Sequence, residues 1–283
     1  MRTLPLPTDA VLDVVESCAG SIRDPGLAWR LRVIGPQILA AQGDYFHRGG
    51  RDELYLTPVA TQVDYGGVVV TQAEMAQIYS GTLSRKGSPA RRAYYDALKA
   101  SAPYALCPSC SQRTVSTLDH YLPKQHHPAL AITPLNLVPN CADCNKTKQA
   151  YLAAEPGRQL LHPYFDSVED GVWLHADVVP GDPPSLTFRA TPPAHWPPIK
   201  QSRVQEHFRV LRLNELYVAH ASRLIADIGY RLNRLRDQGG AAAVAAHLAE
   251  EADSRRQRAV NSWEIAAFTA LSQSPAFCVW HHG

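Results

Sequence analysis

The hydrophobic pattern of this 283-residue chain predicts a mostly helical protein with a less regular centre. Near the N-terminus, Thr8 can cap a helix that runs to about Ala19, and Asp24 before Pro25 can begin a second helix that continues to about Gln42. Near the C-terminus, five apolar residues recur at helical spacing with arginines on the opposite side: Leu216, Leu224, Ile228, Leu232 and Leu235. Such a stripe normally packs into a core, and a docking surface for a partner is the alternative.

Shorter elements are predicted between these helical regions. Thr71 and Glu74 have the spacing of a capping box, and Ser88 before Pro89 predicts a helix that leads into the central segment. Residues 54–56 and 68–70 have a β-like composition. Residues 172–179 and 186–190 predict a β-hairpin, and the proline-rich residues 191–198 then lead into the helical tail, which Gly239 and Gly240 interrupt.

The central segment predicts a strand, a loop, a second strand and a helix. Residues 114–118 are rich in β-branched side chains and predict a strand that brings Asp119 and His120 near its end. Several prolines then prevent a long regular element, and residues 135–139 predict a second short strand. From about Ala142 the composition favours a helix to about Ala154, before Pro156.

Two cysteine pairs bracket this segment. Cys107 and Cys110 form the first pair, Cys141 and Cys144 form the second, and each pair is separated by two residues. Two such turns can offer four thiolates to one tetrahedral Zn²⁺ ion, which predicts a structural zinc knuckle. A zinc ribbon that serves only as a scaffold or a nucleic-acid clamp would have the same spacing. Cys18 and Cys278 have no such neighbour, so we expect buried free thiols there.

The residues between and after the cysteines resemble the HNH endonuclease family, the ββα-metal nucleases, in its zinc-stapled form. The matching positions are Cys107, Cys110, Asp119, His120, Asn136, Leu137, Val138, Pro139, Cys141, Cys144, Asn145 and Lys148. The resemblance covers residues 105–151, which is under a fifth of the chain. It implies that His120 is the general base, that Asn136 orders the loop around this base, and that Asn145 binds a catalytic metal beside Asp119.

General chemistry supports the same assignment. A histidine with a pKa near about 6.5 can remove a proton from water, and a divalent metal ion can stabilise the leaving oxygen of a phosphodiester. Mg²⁺ or Mn²⁺ binds oxygen ligands and Mg²⁺ keeps several waters, so Asp119 and Asn145 suffice as protein ligands. Neighbouring side chains on a strand face opposite sides. Asp119 and His120 can serve one site only if the strand kinks at its end or if the metal is approached from the side. The sequence leaves open which of these occurs.

Charge is unevenly distributed along the chain. The formal net charge is only +2, but residues 85–148 carry nine basic and three acidic side chains, and residues 200–237 carry eight basic and four acidic ones. The more basic stretch contains the nuclease-like motif, which suits a polyanionic substrate. The candidate phosphate contacts are Arg113, Lys124, Lys146 and Lys148. His126 and His127 are expected at the surface. His162 is expected either to pack against other side chains or to lie at the surface.

Together these patterns predict an α+β, mainly helical protein with a central ββα-metal module, a four-cysteine zinc knuckle, and helical segments on both sides. The predicted regions are residues 1–104 (helical), 105–160 (module), 161–198 (hairpin and joint) and 199–283 (helical). No run of about 18 apolar residues and no signal peptide is present, so we expect a cytoplasmic protein without membrane contact.

The expected function is Mg²⁺- or Mn²⁺-dependent cleavage of DNA, with RNA as another open substrate. A nuclease of this kind would suit a bacterial defence or mobile-element system, with a separate ATPase or sensor protein as partner. The alternative is a non-catalytic zinc-bound protein that binds nucleic acid or acts as a scaffold and keeps a vestigial nuclease site.

Overall fold

A computed structural model of the protein describes residues 1–281 and has an α+β, mainly helical architecture with three two-stranded sheets. The chain divides into two compact units, the first being Met1–Asp166 and the second beginning at Ser167. This division differs from the four regions that the sequence predicts. The helical region of residues 1–104 and the module of residues 105–160 belong to one unit, and the hairpin and the helical tail belong to the other.

The first unit contains six α-helices and two antiparallel β-hairpins. In chain order they are α1 (Val11–Ala19), α2 (Pro25–Val33), α3 (Gly35–Gly49), β1 (Gln62–Tyr65), β2 (Val68–Thr71), α4 (Gln72–Ile78), α5 (Asp96–Ala100), β3 (Thr117–His120), β4 (Leu137–Asn140) and α6 (Ala142–Lys148). Two π-helical turns, Tyr79–Leu83 and Arg91–Tyr95, follow α4 and precede α5. Residues 54–56, which the sequence predicts as β-like, form a 3₁₀ turn.

Some of the helix caps that the sequence predicts are present in the structure and others are not. The Asp24 side chain accepts a hydrogen bond from Gly26 N (2.9 Å), and Thr71 with Glu74 forms the predicted capping box. Thr8 does not cap α1, which begins after Ala10. The single helix expected after Pro25 is two helices that meet at Ile34, because α3 restarts with a proline in its first turn, where no amide hydrogen is needed.

One hydrophobic core explains why the N-terminal helices and the central module form a single unit. Val14 of α1, Ile38 of α3 and Met75 of α4 are fully buried in the same cluster as Leu118 and Leu137, which flank the candidate site residues in the third and fourth strands. The β3–β4 hairpin is too small to be stable alone, since two strands need a packed face. The N-terminal helices supply that face.

The β3–β4 hairpin has the predicted order, but its strands begin three and two residues later than the sequence predicts. Asp119 pairs opposite Val138, and His120 opposite Leu137. The helix that follows ends at Lys148, so the expected continuation to about Ala154 is wrong. Gln149 has φ of +49°, a conformation that ends a helix whatever the helix propensity of the alanines beyond it.

As far as residue 281, the second unit is a hairpin with four helices. Its elements are β5 (Leu174–Val179), β6 (Ser185–Ala190), α7 (Pro198–Val210), α8 (Leu213–Arg256), α9 (Trp263–Ser272) and α10 (Pro275–Val279). The predicted hairpin is confirmed, and so is the break in the tail, because Gly240 leaves helical geometry inside α8 at φ +66°. Of the apolar stripe, Leu216 and Leu232 are buried, while the other three side chains are half-buried, as a core face requires.

Within residues 1–281, no helix has both the length and the apolar character that crossing a lipid bilayer demands.

Candidate functional site

The four predicted zinc ligands come together in the first unit. The sulfur atoms of Cys107, Cys110, Cys141 and Cys144 all lie within 4.8 Å of one another, and all four residues are buried. Tetrahedral Zn²⁺ with bonds of about 2.3 Å places its sulfur ligands about 3.8 Å apart. The cluster therefore has the composition and the size of a four-sulfur zinc site and could bind one zinc ion.

Backbone groups hold these sulfurs in tight turns. Arg113 N donates to Cys110 Sγ (3.4 Å), and Cys144 N donates to Cys141 Sγ (3.3 Å). Cys141 is also the residue that caps α6, so the second cysteine turn and the start of that helix are one structure. Amide donors of this kind favour the negatively charged thiolate form that binds metal.

The proton balance of the cluster also favours a cation. Hydrogen bonding with Cys107 lowers the pKa of Cys110 well below its usual range, whereas burial raises the pKa of Cys107. Four buried sulfurs in mutual contact cannot all carry a charge without a compensating ion. By contrast, Cys18 and Cys278 are buried and free, as the sequence predicts, and burial raises the pKa of Cys18 to about 11.

Helix α6 lies across one face of β3. Asn145 Nδ2 donates to Thr117 Oγ1 (3.2 Å), and Lys148 Nζ lies 3.2 Å from Asp119 Oδ2. Thr117 and Asp119 are two residues apart and share a strand face, while Asn145 and Lys148 are three residues apart and share a helix face. The structure therefore brings the candidate metal ligands Asp119 and Asn145 to the same face of the β3–α6 unit.

Asp119 is a buried carboxylate with a cationic neighbour. Only 7% of its side chain is exposed, and Lys148, exposed to 6%, forms an ion pair with it and also donates to His120 O (2.7 Å). Burial raises the pKa of Asp119 despite the opposing charge of Lys148. The sequence prediction of Lys148 as a phosphate contact differs from this arrangement, because the ammonium group points inward to Asp119.

His120 is fixed from two sides. Its Nε2 lies 2.8 Å from Ala131 O, and its ring packs edge-on against Tyr79 with centroids 4.5 Å apart. A carbonyl oxygen only accepts hydrogen bonds, so Nε2 carries the proton and Nδ1 keeps the lone pair. In the neutral ring, Nδ1 is therefore the atom that can accept a proton. The strand pairing continues through His120, so β3 has no kink between Asp119 and His120.

Burial lowers the pKa of His120 to about 3, with Lys124 and Lys148 adding to the effect against the hydrogen bond to Ala131. The unfolded chain binds this proton near pH 6.5 and the folded chain does not, so stability falls as the pH drops from about 6.5 towards 3.

We therefore expect the titration of His120 to lower the free energy of unfolding of the first unit by about 2 kcal/mol when the pH is lowered from 7 to 5. Replacement with Gln, which can still donate to Ala131 O, should remove this loss. Urea unfolding of the wild type and of His120→Gln at both pH values measures it. An equal loss of stability in both proteins would show that His120 titrates normally.

Asn136 connects two parts of the loop that follows β3. Its Oδ1 accepts from Leu122 N (2.8 Å), and its Nδ2 donates to Leu122 O (2.9 Å) and Leu130 O (3.2 Å). The side chain is fully buried. These bonds join residue 122 to residue 130, which directly precedes Ala131, whose carbonyl orients His120.

The predicted phosphate contacts do not share one environment. Lys146 is exposed, and Arg113 forms a partly exposed ion pair with Asp143 (3.0 Å). Lys124 is half-buried above the Tyr79 ring, with Nζ 5.5 Å from the centroid, and its charge acts on both Asp119 and His120. Lys124 and Lys146 are thus the candidates with access to a phosphate in this structure.

Three residues illustrate what sequence reasoning missed. His127 is buried, with Nδ1 3.1 Å from Pro58 O, so its expected surface position is wrong. Tyr79 contacts His120 although it lies outside the nuclease-like motif of residues 105–151. No sequence pattern around Tyr79 predicts this contact. His162, expected in packing or at the surface, is fully buried and lies 2.8 Å from the Tyr45 hydroxyl.

Comparison with known proteins shows a distant similarity to a phage protein. The chain is 26% identical to Protein ea31 of Escherichia phage lambda over 235 residues, which span 81% of this chain and 79% of the phage protein. No family profile and no solved structure matches the sequence.

Proposed function

We propose that the first unit is a metal-dependent endonuclease of the HNH type that hydrolyses phosphodiester bonds in DNA. The observation that carries this proposal is the β3–α6 arrangement. It places a carboxylate, Asp119, and an amide, Asn145, over one strand face, and the residue that follows Asp119 is a histidine whose Nε2 is held by a backbone carbonyl. A zinc-binding cluster alone does not require any of these three side chains.

In the proposed reaction, His120 Nδ1 accepts the proton of a water molecule as the water attacks the phosphorus. Ala131 O holds the ring through Nε2, and the Asn136 hydrogen bonds hold the loop that carries Ala131 O. The low pKa of His120 keeps the base unprotonated throughout the physiological pH range. Lys124 and Lys146 attract the polyanionic backbone to this surface.

The donor set of Asp119 and Asn145 fits Mg²⁺ or Mn²⁺, since both residues offer oxygen ligands and Mg²⁺ retains waters for its other positions. Such an ion supplies charge stabilisation to the phosphate and the leaving oxygen. Lys148 already compensates part of the Asp119 charge, and its contact with His120 O ties α6 to the end of β3. Lys148 thereby links the Asp119 carboxylate to the backbone of His120.

Replacing Asp119 with Asn should raise the Mg²⁺ concentration for half-maximal cleavage by about tenfold or more, because a charged ligand is lost. Asn145→Ala should raise it less, since a neutral ligand is lost, and Asn145→Asp should keep the oxygen and serve as the matched control. Plasmid cleavage against Mg²⁺ and Mn²⁺ concentration measures both effects.

Stability needs a separate control in this experiment, because Asp119→Asn leaves the buried Lys148 charge unpaired. The double variant Asp119→Asn with Lys148→Met removes both charges and should regain stability without regaining the wild-type Mg²⁺ dependence. Normal cleavage by Asp119→Asn at low Mg²⁺ would contradict the assignment of this carboxylate as a metal ligand.

The rival function is a zinc-bound nucleic-acid-binding or scaffold protein with a vestigial site. The placing of Asp119 and Asn145 on one face of the β3–α6 unit favours catalysis over this rival, since a zinc-bound scaffold does not need a pair of oxygen ligands there. A role in defence or in a mobile element, with a separate ATPase or sensor protein, is a wider proposal. The similarity to a phage protein agrees with that setting, and co-purification with such a partner would test it.

A further inference from the structure

A cavity of about 140 Å³ lies in the first unit and shares Lys148 with the proposed nuclease site. Its lining is mostly apolar and aromatic, and includes Tyr55, Val59, Tyr121, Lys148, Tyr151 and Leu152. Val59 and Leu152 are 66% and 38% exposed, so apolar side chains reach the surface at this place. The nuclease chemistry proposed above does not use this cavity.

Two residues join the cavity to the site. Lys148 lines the cavity while its ammonium group contacts Asp119 Oδ2 (3.2 Å) and His120 O (2.7 Å). Tyr121, also in the lining, directly follows His120 in the chain. A substrate group in the cavity would therefore lie next to the phosphate that the site attacks.

The chemistry of the lining favours a flat, apolar group attached to a polyanion. Among the lining residues, all within the part of the chain that the structure describes, none is acidic. The charged residue of the lining, Lys148, is a cation whose ammonium group pairs with Asp119. A cavity of about 150 Å³ is known to hold one benzene ring, so this volume suits one aromatic ring system. Tyrosine rings supply stacking faces that accept any base.

We propose that this cavity binds an unpaired nucleobase next to the scissile phosphate, so that the preferred substrate is DNA with an unpaired nucleotide. This inference rests on the proposed function for the position of the phosphate. Extruding a paired base costs stacking and pairing energy, whereas an unpaired base enters without that cost. The cavity thus selects a DNA structure rather than a sequence.

The first experiment compares cleavage of a duplex oligonucleotide with cleavage of the same duplex carrying one unpaired nucleotide. The wild type should cleave the second substrate about tenfold faster, given the stacking energy of one base. Leu152→Trp fills the cavity and should bring the ratio of the two rates close to one. Leu39→Trp, at a comparably exposed leucine outside the cavity lining, is the matched control and should keep the ratio.

The second experiment separates failure of the cavity from failure of the nuclease. In the His120→Ala background, an oligonucleotide with 2-aminopurine at the unpaired position should lose fluorescence on binding, and Leu152→Trp but not Leu39→Trp should abolish this quenching. Quenching without any cleavage by the wild type would leave the cavity proposal standing and overturn the nuclease. Cleavage without quenching would overturn the cavity proposal. So would a Leu152→Trp variant that still cleaves the duplex with the unpaired nucleotide faster than the paired duplex by the wild-type ratio. Either result is expected if the cavity instead holds an apolar side chain of a protein partner.

Discussion

His120→Ala should lower DNA cleavage by about 10²–10⁴-fold, the range typical for the loss of a general base. The structure gives the reason, because His120 is held with Nε2 at Ala131 O and Nδ1 ready to accept a proton. Zinc content should be unchanged, since His120 is not part of the cysteine cluster. Single-turnover cleavage of a plasmid with Mg²⁺ or Mn²⁺, together with elemental analysis of zinc, measures both results.

The truncation also leaves space beside Tyr79, so the folded state of the variant must be checked by thermal unfolding. His126→Ala, at a half-buried histidine in the loop that follows β3, is the matched control and should cleave like the wild type. Cleavage by His120→Ala at the wild-type rate would mean that the base is another residue, or that a contaminant produced the activity.

Removal of one knuckle sulfur should have the largest effect on stability. Cys107→Ala should lose bound zinc and lower the melting temperature of the first unit by about 10 °C or more, because structural zinc contributes directly to folding. The knuckle holds β4 and the start of α6 together through Cys141, so its loss should also disturb the face that carries Asp119 and Asn145. Zinc analysis and thermal unfolding measure these effects.

Cys18→Ala is the matched control, because Cys18 is equally buried in the same unit but lies outside the four-sulfur cluster. It should keep one zinc per chain and lose only a few degrees, as expected for a small cavity in a core. If Cys107→Ala retained its zinc and its melting temperature, the four-sulfur assignment would be wrong.

Short-range signals in the sequence were sufficient for several parts of this structure. The capping box at Thr71 and the cap at Asp24 depend on contacts within three residues, and both are present. The spacing of the cysteines fixed which four residues meet, since two-residue separations allow both sulfurs of a pair to face one ion. The hairpin of β5 and β6 followed from alternation and a turn.

Longer-range features required the tertiary structure. The end of α6 depends on a single residue, Gln149, that adopts positive φ against its propensity. The burial of Lys148 is decided by where Asp119 lies, and β3 pairing places that carboxylate under α6. Tyr79 reaches His120 because one core joins the N-terminal helices to the β3–β4 hairpin.

The sequence by itself determined which residue types occur in this protein's candidate site and at which spacing. Residues separated by only a few positions are held close together by local backbone geometry, so these features could be predicted. Only the tertiary structure decided which of these side chains are exposed, paired or oriented, and it alone revealed the cavity beside Lys148. The physical reason is that burial and electrostatic environment arise from residues far apart in the chain, as between Tyr79 and His120, and no local pattern encodes them.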